Sequence, residues 1–288
     1  MAQDGRRARA RRATPLTDMR EHISPGGTRD LNGSESAIQS VARAAHILGF
    51  FTVGRPRRSL SEITARLGVS RATAHRYTVA LRQANLLRFD PATSEYTLGP
   101  QVLTLAGAAG AGLPVVAIAG PHMEALVHKV NETVVLSVWD GEAPVVVRAD
   151  DNPDRLVRIS IHTGSRLTLF RSSQGRIFCA FLPEGEVSGL RRALRRDPAL
   201  AAELQRIRRT RIAVTSAVEA GIRAIAAPVF QGDRVMATVA IVGTSASVPE
   251  SRSSPMAKAL LATAAQLSRE FGTVHELDRA ELSGRRPA

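Results

Sequence analysis

Cysteine is nearly absent from this sequence: Cys179 is the only one in 288 residues. A single thiol excludes an internal disulfide framework and any zinc site built from several cysteines. Aromatic residues are scarce at 4%, so the core has to be built from Ala, Val, Leu and Ile. No apolar run approaches the ~18–20 residues of a membrane span, and no membrane partner is expected. The Arg-rich beginning is followed by no hydrophobic stretch, so its paired arginines are not read as an export signal and a cytoplasmic location is expected. There is no Gly-x-Ser-x-Gly elbow, phosphate-cradling loop, dinucleotide fingerprint or His-x-x-x-His pair. His122 and His128 stand six apart, which does not align them on one helical face. No catalytic set, metal site or cofactor is therefore expected, and Cys179, inside an apolar helix, reads as a small core residue.

What is present is charge of one sign. Lys and Arg total 39 against 26 Asp and Glu, a formal net charge of +13. Residues 34–100 carry +5, and residues 101–288 carry the same +5 over a far longer stretch. A concentrated basic segment is the electrostatic footprint of a nucleic-acid module, although charge alone fits a solvated surface equally well. The length predicts two domains. Residues 1–33, with seven Arg against four acids, show no sustained periodicity and are expected to form a disordered basic arm.

Within residues 34–99 the pattern is specific. From Ser36 to Phe50, Ile38, Val41, Ala45, Ile47 or Leu48, and then Phe51 recur at helical spacing. Ser59-Leu60-Ser61-Glu62 is a capping-box pattern, Ile63 and Leu67 bury one face, and Gly68 is placed to end the helix in a left-handed conformation. Ser70 can cap a second helix running to about Asn85. Helix, glycine turn, helix is the helix-turn-helix signature. On the second helix Ala74, Tyr77, Leu81 and Ala84 form a packing stripe. Arg71, His75, Thr78 and Arg82 form a polar one, extended by Thr73 and Arg76. Arg and His in a major groove can donate to guanine edges, and Thr can touch phosphate or a thymine methyl. Residues 86–90 and 94–98 read as two short strands around Asp-Pro-Ala-Thr, a basic hairpin placed like a wing. Residues 100–113 hold a linker helix whose apolar face also suits a second subunit.

Residues 114–273 read as a larger α+β domain, followed by a flexible tail at 274–288. Helices are expected at 120–131, 173–182, 184–196, 198–209 and 255–271. Strands are expected at 133–139, 143–148, 222–230 and 234–243, with a further half-buried strand where Val157, Ile159 and Ile161 alternate with polar residues. Hairpin pairs separated by helices indicate an antiparallel sheet with helices packed on it. The best small-molecule segment runs from Gly164 to Gly175, from a strand into a helix N-terminus whose free amides suit a carboxylate. Ser172 and Ser173 fit either ligand contact or simple capping, and Trp139 fits either a pocket wall or core filling.

The order of these pieces resembles the IclR family of bacterial transcriptional regulators over roughly residues 34–272. The residues that carry the resemblance are Leu60-Ser61-Glu62-Ile63, Leu67-Gly68-Val69-Ser70, Thr73-Ala74-His75-Arg76, Leu81, Tyr96-Thr97-Leu98-Gly99, the run from Leu136 to Gly141, Gly175-Arg176 and the run from Gly221 to Val229. The resemblance implies a winged helix-turn-helix followed by a GAF-like effector domain with an antiparallel sheet. It also implies dimers or tetramers that bind palindromic double-stranded DNA operators, more often as repressors, and a small organic effector that alters DNA affinity. DNA contacts carry over to Arg71, Thr73 and Arg76, then to His75 and the wing residue Arg88, with Ser70 and Arg82 beside them. The expected effector contacts are Trp139, Gly164, Leu169, Ser172, Ser173, Gly175, Ala224, Ala240 and Val242. Departures from the family pattern cluster at that site. Thr168-Leu169-Phe170 replaces Pro-Leu-His, Ala224 replaces a cysteine, and Ala240 and Val242 replace two serines. A small oxoacid would lose hydrogen bonds worth about 0.5–1.5 kcal/mol each, so the expectation is a larger aromatic or acyl ligand, or none. The competing class is an enzyme or ligand-sensing protein whose winged helix serves protein contacts only.

Overall fold

The computed structural model describes residues 36–153, 159–217 and 220–282. The expected arm at 1–33 and the last six residues of the expected tail lie outside the described residues. The first unit comprises α1 (Ser36–Leu48), β1 (Arg58–Ser59), α2 (Leu60–Leu67), α3 (Arg71–Gln83), β2 (Leu87–Asp90) and β3 (Glu95–Leu98). Its three strands are antiparallel in the order β1-β3-β2. Ser59 accepts a hydrogen bond from the Glu62 amide, the Glu62 carboxylate accepts one from the Ser59 amide, and Gly68 ends α2 at φ 66°. The small core joins Ile47, Phe50 and Phe51 to Ile63, Ala74, Leu81, Leu87 and Tyr96. The phase of α1 differs from expectation. Ile47 is fully buried while Val41 is 72% exposed, because Phe50 and Phe51 fold back under the helix and rotate its contact face toward Ala44 and Leu48. The Ile38 side chain lies outside the described residues.

A linker helix, α4 (Gln101–Ala111), contains no buried residue. It leads into α5 (Pro114–Val130), which begins six residues before the expected start. Pro114 occupies the first turn, where no amide hydrogen is needed, and the helix also carries Pro121 within it. At Gly120 the Arg148 guanidinium rests on the helix, 2.7 Å from where a Cβ would stand, and pairs with Glu124 and Asp150. No single helix is long and apolar enough to cross a membrane; α4 and α5 would reach that length only together, and they are bent by 78° at their junction.

The larger unit continues with β4 (Thr133–Trp139), β5 (Pro144–Asp150), α6 (Ser173–Phe181), α7 (Leu190–Arg196), α8 (Pro198–Thr210), β6 (Ala213–Ala217), β7 (Ile222–Gln231), β8 (Arg234–Thr244) and α9 (Pro255–Leu282). A 3-10 turn at Glu184–Glu186 and a glycine precede α7, where a single longer helix was expected. The five strands are antiparallel in the order β5-β4-β8-β7-β6. One face of the sheet, with Val134, Leu136, Val214, Ile225, Val239 and Ile241, packs on α5 and α9. The other face, with Ala213, Ala226 and Ala240, packs on α6, α7 and α8. Alternation along each strand sends successive side chains to the two layers.

Three differences from the sequence expectation are informative. Strand β6 was not anticipated, since Ala-Val-Thr-Ser-Ala is short and weakly alternating; pairing with β7 creates it. Ile159 to Ile161 do not form a strand, and Val157 lies outside the described residues. The free edge of β5 is taken by Gly164, Ser165 and Leu167, whose backbones bond to Val146 and Pro144. Ile159 and Ile161 pack over the sheet instead. Finally, α9 runs on to Leu282, so the segment from 274 to 282, expected as flexible tail, is helical: no Pro or Gly interrupts the helix between Thr273 and Leu282.

Candidate nucleic-acid interface and effector face

Helix α3 is positioned by its cap and its buried side. Ser70 Oγ accepts from the Thr73 amide at 3.2 Å and contacts the Thr73 hydroxyl at 2.9 Å. Ala74 and Leu81 are buried as expected, but so is Thr78. Its hydroxyl donates to the His75 carbonyl at 2.9 Å and meets the Tyr96 hydroxyl of the wing at 3.3 Å. Thr78 is therefore removed from the expected polar stripe: β3 packs against that side of the helix, and a hydroxyl there is satisfied internally. At ~100° per residue the buried residues centre opposite Ala72, Arg76 and Gln83. Arg76, placed at the margin by sequence, stands at the centre of the exposed face. His75, Arg71 and Arg82 flank it on one side, and the half-buried Thr73 on the other.

The charge count also changes meaning in three dimensions. Arg58 is buried, donating to the Phe50 carbonyl and pairing with Glu62. Arg57 pairs with Asp90 and Glu95 of the wing. The Arg82 guanidinium lies over the Phe89 ring at 5.4 Å, tying the end of α3 to β2, and Arg71 reaches Ser61 at 3.3 Å. Arg76 and Arg88 make no hydrogen bond or ion pair among the described residues, and both are exposed, one on the helix and one on the wing. Cations without an internal partner are the ones free to meet phosphates and base edges.

The expected effector residues are not brought into one cavity. Ala224 and Val242 are register partners on neighbouring strands. The face they share is covered by Ile159, Ile161 and Leu167, with Val135 and Val146 beneath. Ala240, Leu169 and Trp139 belong instead to the cluster under α6, where Trp139 meets Phe178 at 5.4 Å between ring centres. Gly164 sits in an exposed turn at φ 84°. Ser172 is the N-cap of α6, accepting from the Gly175 amide at 2.9 Å, and Ser173 is buried. Gly175 has a packing role: a Cβ there would lie 2.5 Å from the Thr168 oxygen and closer still to that of Leu169. Segment 168–172 is laced onto α6 by Arg176 Nε donating to the Phe170 carbonyl at 2.9 Å and Ser172 Oγ donating to the Thr168 carbonyl at 2.6 Å. Burial pushes the Cys179 thiol up to about 12, so it stays protonated and unreactive.

Sequence reasoning missed a polar cavity of about 330 Å³ beside this face. It is lined by Arg171, Arg176, Glu250, Arg252 and the β6 run Val214, Thr215 and Ser216. The only advance signal was an excess of arginine on segments far apart in the chain, which the unanticipated strand β6 brings together.

Two family models match the chain: the IclR helix-turn-helix domain over residues 40–91, and the C-terminal domain of bacterial transcriptional regulator IclR over residues 108–269. The chain belongs to the IclR family. It is accordingly a DNA-binding transcriptional regulator and not an enzyme. Among curated IclR relatives, the DNA-binding transcriptional repressor YiaJ of Escherichia coli K12 is 26% identical over 254 residues, covering 83% of this chain and 89% of that protein. A solved IclR regulator from Silicibacter superposes with a TM-score of 0.71 at 25% identity, over 81% of this chain and 96% of that one. An IclR homologue from Microbacterium hydrocarbonoxydans, solved in complex with 4-hydroxybenzoate, shares the fold at a TM-score of 0.65 and 21% identity, over 81% and 98% of the two chains.

Proposed function

We propose that this IclR regulator is a cytoplasmic repressor that binds a palindromic operator as a homodimer or homotetramer and is modulated by an aromatic or acyl effector. The observation that carries the DNA reading is the exposed face of α3 centred on Arg76, together with the exposed Arg88 on the wing. Phosphate contacts release counterions and weaken with salt, while contacts from α3 to base edges supply sequence preference. In support of a dimer, Leu103 and Leu105 of α4 are 77% and 52% exposed in the single chain, as is Val41 of α1. Apolar surface of this kind suits a second copy, and two-fold symmetry in the protein calls for two-fold symmetry in the operator.

The effector is proposed to contact the segment from Gly164 to Gly175 and the strands carrying Ala224, Ala240 and Val242, three side chains that offer no hydrogen bond. Trp139, Leu169, Ser172 and Ser173 complete the proposed set. The 4-hydroxybenzoate complex of the Microbacterium homologue supports an aromatic ligand class in this fold. The decisive experiment is Arg76→Ala in an operator-binding assay across a salt series. Replacing a base-contacting arginine costs about 1–3 kcal/mol, so affinity falls roughly tenfold or more while the thermal transition is unchanged. Unaltered operator affinity refutes the assignment. Glyoxylate and pyruvate are expected to leave the melting temperature unmoved; a clear rise overturns the apolar effector.

A further inference from the structure

The polar cavity at the β6 edge has a chemistry unlike that of the face proposed for the effector. Three guanidinium groups converge on it from separate segments: Arg171 from the loop before α6, Arg176 from α6, and Arg252 from the loop before α9. One carboxylate, Glu250, shares the lining, together with the hydroxyls of Thr215 and Ser216.

The three arginines are held in different ways. Arg252 Nη2 donates to Glu203 at 2.9 Å, and Glu203, buried on α8, also takes Arg206 at 3.1 Å. Arg252 Nε is buried with no hydrogen-bond partner among the described residues, so this side chain keeps donor capacity that they do not use. Arg176 is anchored through Nε to the Phe170 carbonyl, which leaves its terminal nitrogens free to turn toward the cavity. Arg171 is exposed and makes no hydrogen bond or ion pair among the described residues. Two anchored guanidiniums and one free one make a partly preorganised cluster. Planar guanidinium forks match the paired oxygens of carboxylates and phosphates.

Position matters as much as charge. Thr215 is the register partner of Ala224, so the cavity lies one strand outward from the covered apolar face and on the same side of the sheet. A volume of about 330 Å³ is at the small end of ligand sites. The lining carries three positive charges against one negative.

We infer that this cavity is a binding site for a small organic anion of charge −2 or more, a di- or tricarboxylate or a phosphate monoester, gripped by Arg171, Arg176 and Arg252. The site adjoins the proposed effector face, sharing Arg171 with the segment from Gly164 to Gly175, but its lining differs in chemistry and stands without that reading. Glu250 opposes an anionic ligand and holds its affinity down.

The test uses the full chain and calorimetric titration with citrate, with glycerol phosphate and with acetate, all at one ionic strength. Citrate or glycerol phosphate binds and acetate does not; preference for the first assigns the carboxylate class and for the second the phosphate ester. Arg171→Ala, which removes no internal contact, weakens binding about tenfold or more, the loss expected for a charge-assisted hydrogen bond. Glu250→Gln tightens it several-fold. The proposal is overturned if neither citrate nor glycerol phosphate binds more tightly than acetate, if Arg171→Ala retains full affinity, or if Glu250→Gln leaves binding unchanged or weaker. Operator binding is not part of this readout, so failure of the DNA or effector reading does not affect it.

Discussion

Replacing Gly175 with alanine separates a helix-terminus role from a packing role by the sign of its effect. Gly175 lies in the first turn of α6, where alanine is the better helix former by about 0.5–1 kcal/mol. If the glycine merely exposes backbone to a ligand, the variant is slightly more stable than the parent. The structure requires the opposite. An added Cβ would lie 2.5 Å from the Thr168 oxygen, where atoms in folded proteins keep at least 3.0 Å, so the loop has to retreat by about half an ångström or more. Overpacking of this kind costs about 1–3 kcal/mol. The same movement strains the bonds from Ser172 Oγ to the Thr168 carbonyl and from Arg176 Nε to the Phe170 carbonyl, each worth about 0.5–1.5 kcal/mol. After the helix-propensity gain is subtracted, the expected loss is about 3 kcal/mol. At this domain size that lowers the midpoint by roughly 6–12 °C in thermal unfolding followed by circular dichroism. A variant at least as stable as the parent would refute the close approach of the loop to α6.

Other expectations follow from single contacts. Thr78→Val keeps the shape of the side chain but removes the hydroxyl between the His75 carbonyl and Tyr96, so denaturant unfolding of the winged helix should show a loss of about 1 kcal/mol; no loss would place Thr78 on the wet side of α3. Leu103→Glu, at an exposed position of α4, should shift sedimentation toward a smaller species if α4 pairs two copies, and an unchanged assembly removes α4 from that interface. Cys179, its thiol held protonated by burial, should resist a thiol-specific disulfide reagent at pH 8 and react fully in guanidinium chloride; fast native labelling would contradict the packing of α6. The Ser59 amide hydrogen bond, opposed by partial burial and aided by Arg58, holds the Glu62 carboxyl below its ordinary range. The stabilisation from Glu62 is therefore present above the unfolded-state value and lost as the pH falls through the lowered folded value. Glu62→Gln should flatten the acid limb of the winged helix's stability profile, and an identical limb would discount the capping box as its source.

Local signals made much of this molecule legible in advance. The capping box at Ser59, the αL glycine at 68, the Ser70 cap and the strands expected at 133–139, 222–230 and 234–243, each within one residue of its observed end, are set by nearby residues and by periodicity, which act through short-range hydrogen bonds and burial of one face. The family and its regulatory role followed from the order of such motifs. Positions settled by remote partners were less legible. Val41 carries the apolar periodicity of α1 yet is exposed, because Phe50 and Phe51 set the phase of that helix. Thr78 reads as polar surface until β3 packs against it. Strand β6 has little signal of its own and exists because β7 offers an edge.

Sequence alone thus determined most of the helices and strands, the family, and that residues 34–100 are the densely basic part of the folded chain. Only the tertiary structure decided which of those charges are free. Arg57, Arg58 and Arg82 are occupied inside the winged helix, leaving Arg76 and Arg88 outward. Arg252, distant along the chain from Arg171 and Arg176, comes to line one cavity with them. A charge count is additive and local, whereas the partner that neutralises or spares each charge is chosen by packing.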